Sequence, residues 1–131
     1  MVTPVHSMVR VLDEQRSISF YKTAFDLAPA ERLDFDSFTL IYLRNSATEF
    51  ELELTVNKGR TEPYNLGDGY GHIAVVVDSL ESEHKRLEQA GLSPGPIRQI
   101  DHSGSRLAKF FFLQDPDGYK VEVIERGGRF R

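Results

Sequence analysis

The sequence predicts an α+β fold built from two βαβββ modules, and three observations predict it. The stretch HSMVRVLD, residues 6–13, is echoed by HIAVVVD, residues 72–78. Each opens on a histidine, continues as an apolar strand rich in β-branched residues, and stops at an aspartate. A helical rhythm follows each aspartate, and strand-like runs follow each helix.

The elements can be justified in order. In DEQRSISFYKTAFDLA the apolar residues Ile18, Tyr21, Phe25 and Ala28 recur at three- and four-residue steps, behind Asp13 as N-cap. A short strand near AERLDF precedes SFTLIYL (37–43) and FELELTV (50–56). In the second half, Leu80, His84, Leu87 and Ala90 or Gly91 keep the helical rhythm. Asp78 with Glu81 resembles a capping box, and Gly91 is a natural stop. SPGPIRQI, LAKFFFLQ (107–114) and YKVEVIE (119–125) then supply strands, with the last two joined by the turn DPDG. The segment DHSGSRLAK reads as part of a loop over about 98–109. The junction NKGRTEPYNLGDGYG has no periodicity and is dense in Gly, Asn and Pro. The expected modules are therefore 1–65 and 66–131.

Bulk composition excludes several function classes. At 131 residues, with 40% hydrophobic and 27% charged residues, the chain has an ordinary globular make-up. A formal net charge of −4 argues against a phosphate-binding surface, so no nucleic-acid partner is expected. With no cysteine, thiolate metal sites and cysteine nucleophiles are excluded. No apolar run approaches the ~20 residues that span a bilayer. MVTPVHSMVR lacks the charged-then-apolar pattern of a signal peptide, and the expectation is a cytoplasmic protein with no membrane partner.

The echo extends to chemistry. Glu53 closes the first module 47 residues after His6, and Glu122 closes the second 50 residues after His72. Strand alternation places Glu53 and Asn57 on the face opposite Phe50, Leu52, Leu54 and Val56. His6, Met8 and Arg10 share a face in the same way, as do Lys120, Glu122 and Ile124. A polar face is the ordinary solvated side of an antiparallel sheet, and a lone histidine is ordinarily a satisfied core residue. The repeated His/Glu placement points instead to a divalent metal. Two carboxylates neutralise its charge, and imidazole suits Zn, Ni, Co and Fe. A glutamate in such a set can also act as a base beside a carbonyl. His84 is expected at a core boundary and His102 in a solvated loop. Phe110, Phe111 and Phe112 are expected in core and dimer packing.

The stretches HSMVRVLDEQRSISFY, ELTVNKG, YGHIAVVVD and DPDGYKVEVIE together resemble glyoxalase I (lactoylglutathione lyase) of the vicinal oxygen chelate superfamily, in its compact bacterial form. The resemblance implies curved mixed sheets around a metal, with the site at a homodimer interface. It assigns His6 and Glu53 of one subunit, with His72 and Glu122 of the other, as ligands. Glu122 falls at the position of the principal base, with Glu53 its near-symmetric partner, and Arg10 and Asn57 at positions that bind glutathione. The implied reaction converts the methylglyoxal–glutathione hemithioacetal to S-lactoylglutathione by Glu-mediated proton transfer through a metal-held enediolate. Ni2+ or Co2+ is the favoured cofactor, with Zn2+ the alternative. Three departures stand out: Lys58 replaces a customary Trp, Arg106 and Lys109 are the basic residues of the 98–109 segment, and FDLAPAER lacks the usual glycine after the first helix. The rival readings are an extradiol dioxygenase, an epimerase, a fosfomycin-type thiol transferase, or a bleomycin-sequestering module without metal. Glu53 argues against these, because those enzymes lack a ligating glutamate there and the sequestering proteins lack the whole His/Glu set.

Overall fold

One strand, one helix and three further strands follow one another twice along the chain. The computed structural model describes all 131 residues, which divide into two compact units, Met1–Asn65 and Leu66–Arg131. The first unit holds β1 (His6–Arg10), α1 (Glu14–Phe25), β2 (Ala28–Asp34), β3 (Phe38–Arg44) and β4 (Glu51–Asn57). The second holds β5 (Ile73–Val77), α2 (Leu80–Gln89), β6 (Arg98–His102), β7 (Ser105–Gln114) and β8 (Lys120–Glu125). Strand orders are β1-β4-β3-β2 and β5-β8-β7-β6. The outer pairs β1–β4 and β5–β8 are parallel, and every other pair is antiparallel. A parallel pair needs a crossover, and each helix belongs to one. The last strand of each unit therefore runs inside its sheet, flanked on both sides.

Alternation sorts the strand residues as expected. Leu52, Leu54, Val9 and Val11 are buried on one face of the first sheet, and Val121 and Val123 on one face of the second. Helix α1 is turned slightly from the predicted stripe. Its buried residues are Ser17, Phe20, Tyr21 and Ala24, while Ile18 and Phe25 lie at the margin and Ala28 already belongs to β2. The small Ser17 and Ala24 let the helix sit close, so Phe20 and Tyr21 carry the apolar burial.

The helix ends account for two departures. Asp13 caps α1 by accepting from the Arg16 amide at 2.9 Å. At the other end Asp26 adopts φ 54°, taking the left-handed turn customarily given to glycine. Aspartate tolerates that region better than most residues, and Lys22 pairs with its carboxylate. The capping box expected from Asp78 and Glu81 does not form. Ser79 is the N-cap, and its hydroxyl bonds Ser82 rather than the backbone. Asp78 is drawn off by Arg126 at 2.7 Å and Glu81 by Lys109, while Glu125 accepts from the Leu80 amide at 3.2 Å. A carboxylate from β8 thus does the capping. Gly91 stops α2 as predicted, at φ 77°, with its amide on the Glu88 carbonyl and the Leu92 amide on Leu87.

The 98–109 segment is not a long loop. It is the β6–β7 hairpin, closed by Ser103 and Gly104 at φ 51° and 79°. Two successive positive φ values make the tight turn whose twist matches paired strands. The strand expected at SPGPIRQI begins only at Arg98. Gly95 before it lies so close to β7 that a Cβ would meet the Phe112 carbonyl at 3.2 Å. The DPDG turn is tied by Asp115, which is buried and accepts from the amides of Asp117 and Tyr119 at 2.9 Å each.

Candidate functional site

Each unit carries one half-site with the same plan. In the first, Glu53 on β4 stands opposite Met8 on β1 and Tyr42 on β3. His6 lies two residues before Met8, hence on the same face, and its Nε2 is 3.8 Å from Glu53 Oε2. In the second, Glu122 on β8 stands opposite Ala74 on β5 and Phe112 on β7. His72 lies two residues before Ala74, with Nε2 3.7 Å from Glu122 Oε2. The imidazoles are roughly 40% exposed while the carboxylates are 11% and 18% exposed, so each half-site has a sheltered oxygen and an open nitrogen.

These separations suit one shared cation better than a direct contact. At 3.7–3.8 Å the nitrogen and oxygen stand beyond hydrogen-bond length. Two donors ~2.1 Å from one ion are about 3.0 Å apart at octahedral angles and about 3.4 Å at tetrahedral ones. Each pair therefore has to close by less than an ångström or so to hold an ion, which rotation about side-chain bonds supplies. The residue types fit a borderline divalent cation. Within the chain no three His, Asp or Glu side chains gather into an ion-holding group. Each unit presents two donors.

An aromatic ring stands beside each histidine. Tyr42 meets His6 edge-on with ring centres 5.9 Å apart, and Phe112 meets His72 likewise at 5.1 Å. Tyr42 stands opposite Glu53 across the strands, and the interaction with that carboxylate, with burial and the nearby carboxylate charge, pushes the phenol up to about 12. Sequence reasoning passed over Tyr42. Alternation in SFTLIYL gives its face, but the cross-strand partner depends on register, which alternation does not fix. Beside His72 an open cavity of about 320 Å³ is lined by Tyr70, Phe112, Tyr119 and Lys120.

The other candidates fall as follows. Arg10 continues the His6 face of β1 and is exposed. The Asn57 amide donates to the Tyr64 hydroxyl at 3.0 Å. Lys58, standing for the customary Trp, reaches Asp34 at 2.9 Å and the Phe35 carbonyl at 2.5 Å, pinning the end of β4 to the β2–β3 turn. Arg106 and Lys109 both point to carboxylates, Glu125 at 3.5 Å and Glu81 respectively. Neither is aimed at a half-site. His84 bonds the Gly95 carbonyl at 2.8 Å and meets Phe111 edge-on, so it is a boundary residue as expected. His102 lies on exposed β6.

Comparison with known proteins agrees in kind with this arrangement. The family model described as Glyoxalase/Bleomycin resistance protein/Dioxygenase superfamily matches residues 3–123. A lactoylglutathione lyase of Salmonella typhimurium is 36% identical over 129 residues, covering 92% of this chain and 90% of its own. A probable lactoylglutathione lyase of Synechocystis is 33% identical over 133 residues, covering 95% and 96%. Among solved structures, the trypanothione-dependent glyoxalase I of Leishmania major superimposes with a TM-score of 0.76 at 32% identity, covering 95% of this chain and 87% of that one.

Proposed function

The chain belongs to the glyoxalase/bleomycin resistance protein/dioxygenase superfamily and, within it, to the lactoylglutathione lyase (glyoxalase I) family, and from that premise we propose that it isomerises the hemithioacetal of methylglyoxal and glutathione to S-lactoylglutathione. The observation that carries this reading is the duplicated half-site, with His and Glu in the same cross-strand register in both units. In this reading His6 and Glu53 of one subunit join His72 and Glu122 of a second in a homodimer around one divalent cation. Ni2+ or Co2+ is favoured, with Zn2+ as the alternative. When bound, the cation polarises the two neighbouring oxygens of the substrate as a Lewis acid.

The chain's own residues perform the rest. Glu122 takes the proton from the carbon that carries sulfur, and the C–H electron pair becomes a carbon–carbon double bond as the ketone oxygen takes on negative charge. Glu122 returns the proton to the adjacent carbon, the double-bond pair becoming the new C–H bond. The hydroxyl on the sulfur-bearing carbon gives up its proton to become the thioester carbonyl, and the former ketone oxygen gains one to become the product hydroxyl. One C–H bond breaks and another forms, so no outside oxidant or reductant enters. Arg10 and Asn57 hold the glutathione portion, with Tyr64 orienting the Asn57 amide. The proposed setting is the cytoplasm, where low-molecular-weight thiols stay reduced. No helix is long and apolar enough to cross a membrane.

The test is to strip the protein of metal, add back Ni2+, Co2+ or Zn2+ separately, and follow thioester formation from methylglyoxal and glutathione. Turnover should return, most strongly with nickel or cobalt. If no metal restores thioester formation, the reading fails. Running the same assay with a second small thiol addresses the engagement of Arg106 and Lys109 by carboxylates, which leaves the glutathione carboxylates to other cations.

A further inference from the structure

Lys120 is a cation without a carboxylate partner. The other basic side chains around β8 are engaged, Arg106 with Glu125, Lys109 with Glu81 and Arg126 with Asp78. Lys120 makes no ion pair or hydrogen bond through its side chain, and it lies in the wall of the cavity beside His72. No aspartate or glutamate lines that cavity, in a chain whose net charge is −4. Register fixes where the lysine stem starts. β5 and β8 pair Ile73 with Val121, so His72 and Lys120 fall one step earlier in the same register, and Lys120 precedes Glu122 by two residues on the same face. Across the antiparallel side its partner is Gln114, whose amide nitrogen comes to the Gly118 rim. The turn before Lys120 is pinned by the buried Asp115, and Tyr119 meets Tyr70 edge-on with ring centres 5.8 Å apart. The stem therefore starts from a fixed base beside an aromatic wall.

We propose that Lys120 is a substrate-binding residue that takes the glycyl carboxylate of glutathione, with the Gln114 amide as a second donor. The inference rests on the proposed function and adds the thiol recognition that Arg106 and Lys109, held by carboxylates, do not supply. The spans agree. Two residues of strand separate Lys120 from Glu122 by about 7 Å. The sulfur of glutathione lies six bonds, about 7 Å when extended, from its glycyl carboxylate. With the sulfur-bearing carbon at Glu122, that carboxylate reaches Lys120. The other carboxylate of glutathione is more distant and carries an ammonium on the same carbon, which a lysine repels.

Replacing lysine with methionine keeps the stem and removes the charge. Lys120 is exposed, so Lys120→Met should fold, and a melting curve checks that it does. Its KM for the methylglyoxal hemithioacetal of glutathione should rise roughly five- to tenfold, between the loss of an exposed ion pair and that of a charged hydrogen bond. Its kcat should stay within about twofold of the parent, the split expected when uniform binding alone is removed. Lys120→Arg should restore KM. The deciding comparison uses glutathione glycyl amide, which lacks that one charge, and whose adduct parent and Lys120→Met should handle alike. A KM shift of the same size with glutathione and its amide, or no shift with glutathione, would overturn the inference. Calorimetric titration with S-methylglutathione, which needs no turnover, keeps the two readings apart. A parent that forms no thioester with any metal overturns the proposed reaction, whereas equal affinity of parent and Lys120→Met for S-methylglutathione overturns Lys120 as the carboxylate's partner.

Discussion

Replacing Glu122 with glutamine should leave a folded, metal-binding protein that turns over at least a hundredfold more slowly. Glutamine keeps the length and planarity of the side chain, so contacts across to Ala74 and Phe112 persist. The site is only partly closed, with Glu122 18% exposed, and an isosteric change there shifts stability by about 1 kcal/mol or less. What disappears is the basic oxygen 3.7 Å from His72 Nε2. Removing a general base lowers rates by roughly 10²–10⁴, or about 3–5 kcal/mol of barrier. That loss exceeds the stability change by several-fold, so unfolding does not account for it. The assay is initial-rate thioester formation at saturating nickel, which separates lost chemistry from weakened metal binding, with a melting curve on the same sample. A variant within about threefold of the parent kcat would remove Glu122 from the base role and take the proposed proton path with it.

Other perturbations probe the scaffold. Asp115→Ala should cost about 1–3 kcal/mol, because a buried carboxylate that accepts two amide hydrogen bonds is lost, and Tm by calorimetry measures it. Phe111→Ala should cost about 3–5 kcal/mol and lower the denaturation midpoint, since Phe111 is fully buried and packs on His84. Lys58 and Thr39 hold the Asp34 carboxyl below its usual range. Its contribution to stability is therefore complete above the ordinary carboxylate pKa and fades as pH falls through the lowered one. The Tm gap between parent and Asp34→Asn should be open at neutral pH and closed in strong acid; a gap that persists at the lowest pH refutes the assignment.

Much of the fold is legible because local signals and tertiary packing agree. Asp13 and Gly91 end helices as their chemistry suggests, and the alternation of ELELTV already separates Leu52 and Leu54 from Glu53. The signals misled where a distant charge intervened. Asp78 looks like a cap until Arg126, 48 residues away, takes its carboxylate, and Glu81 looks like its partner until Lys109 claims it. The hairpin at Ser103–Gly104 was obscured by its polar, exposed strands, which lack the apolar alternation that marks a half-buried strand. The half-site glutamates and histidines were visible through repetition. Tyr42 was not, because a cross-strand neighbour is set by register between segments, and no residue in SFTLIYL announces it.

The parallel pairing of first and last strands has a further consequence. In the proposed reading each unit offers a two-toothed grip, and a two-toothed chelator holds a transition ion loosely. On that reading a chain without its partner would bind metal weakly, and full loading would report that folding and pairing are complete.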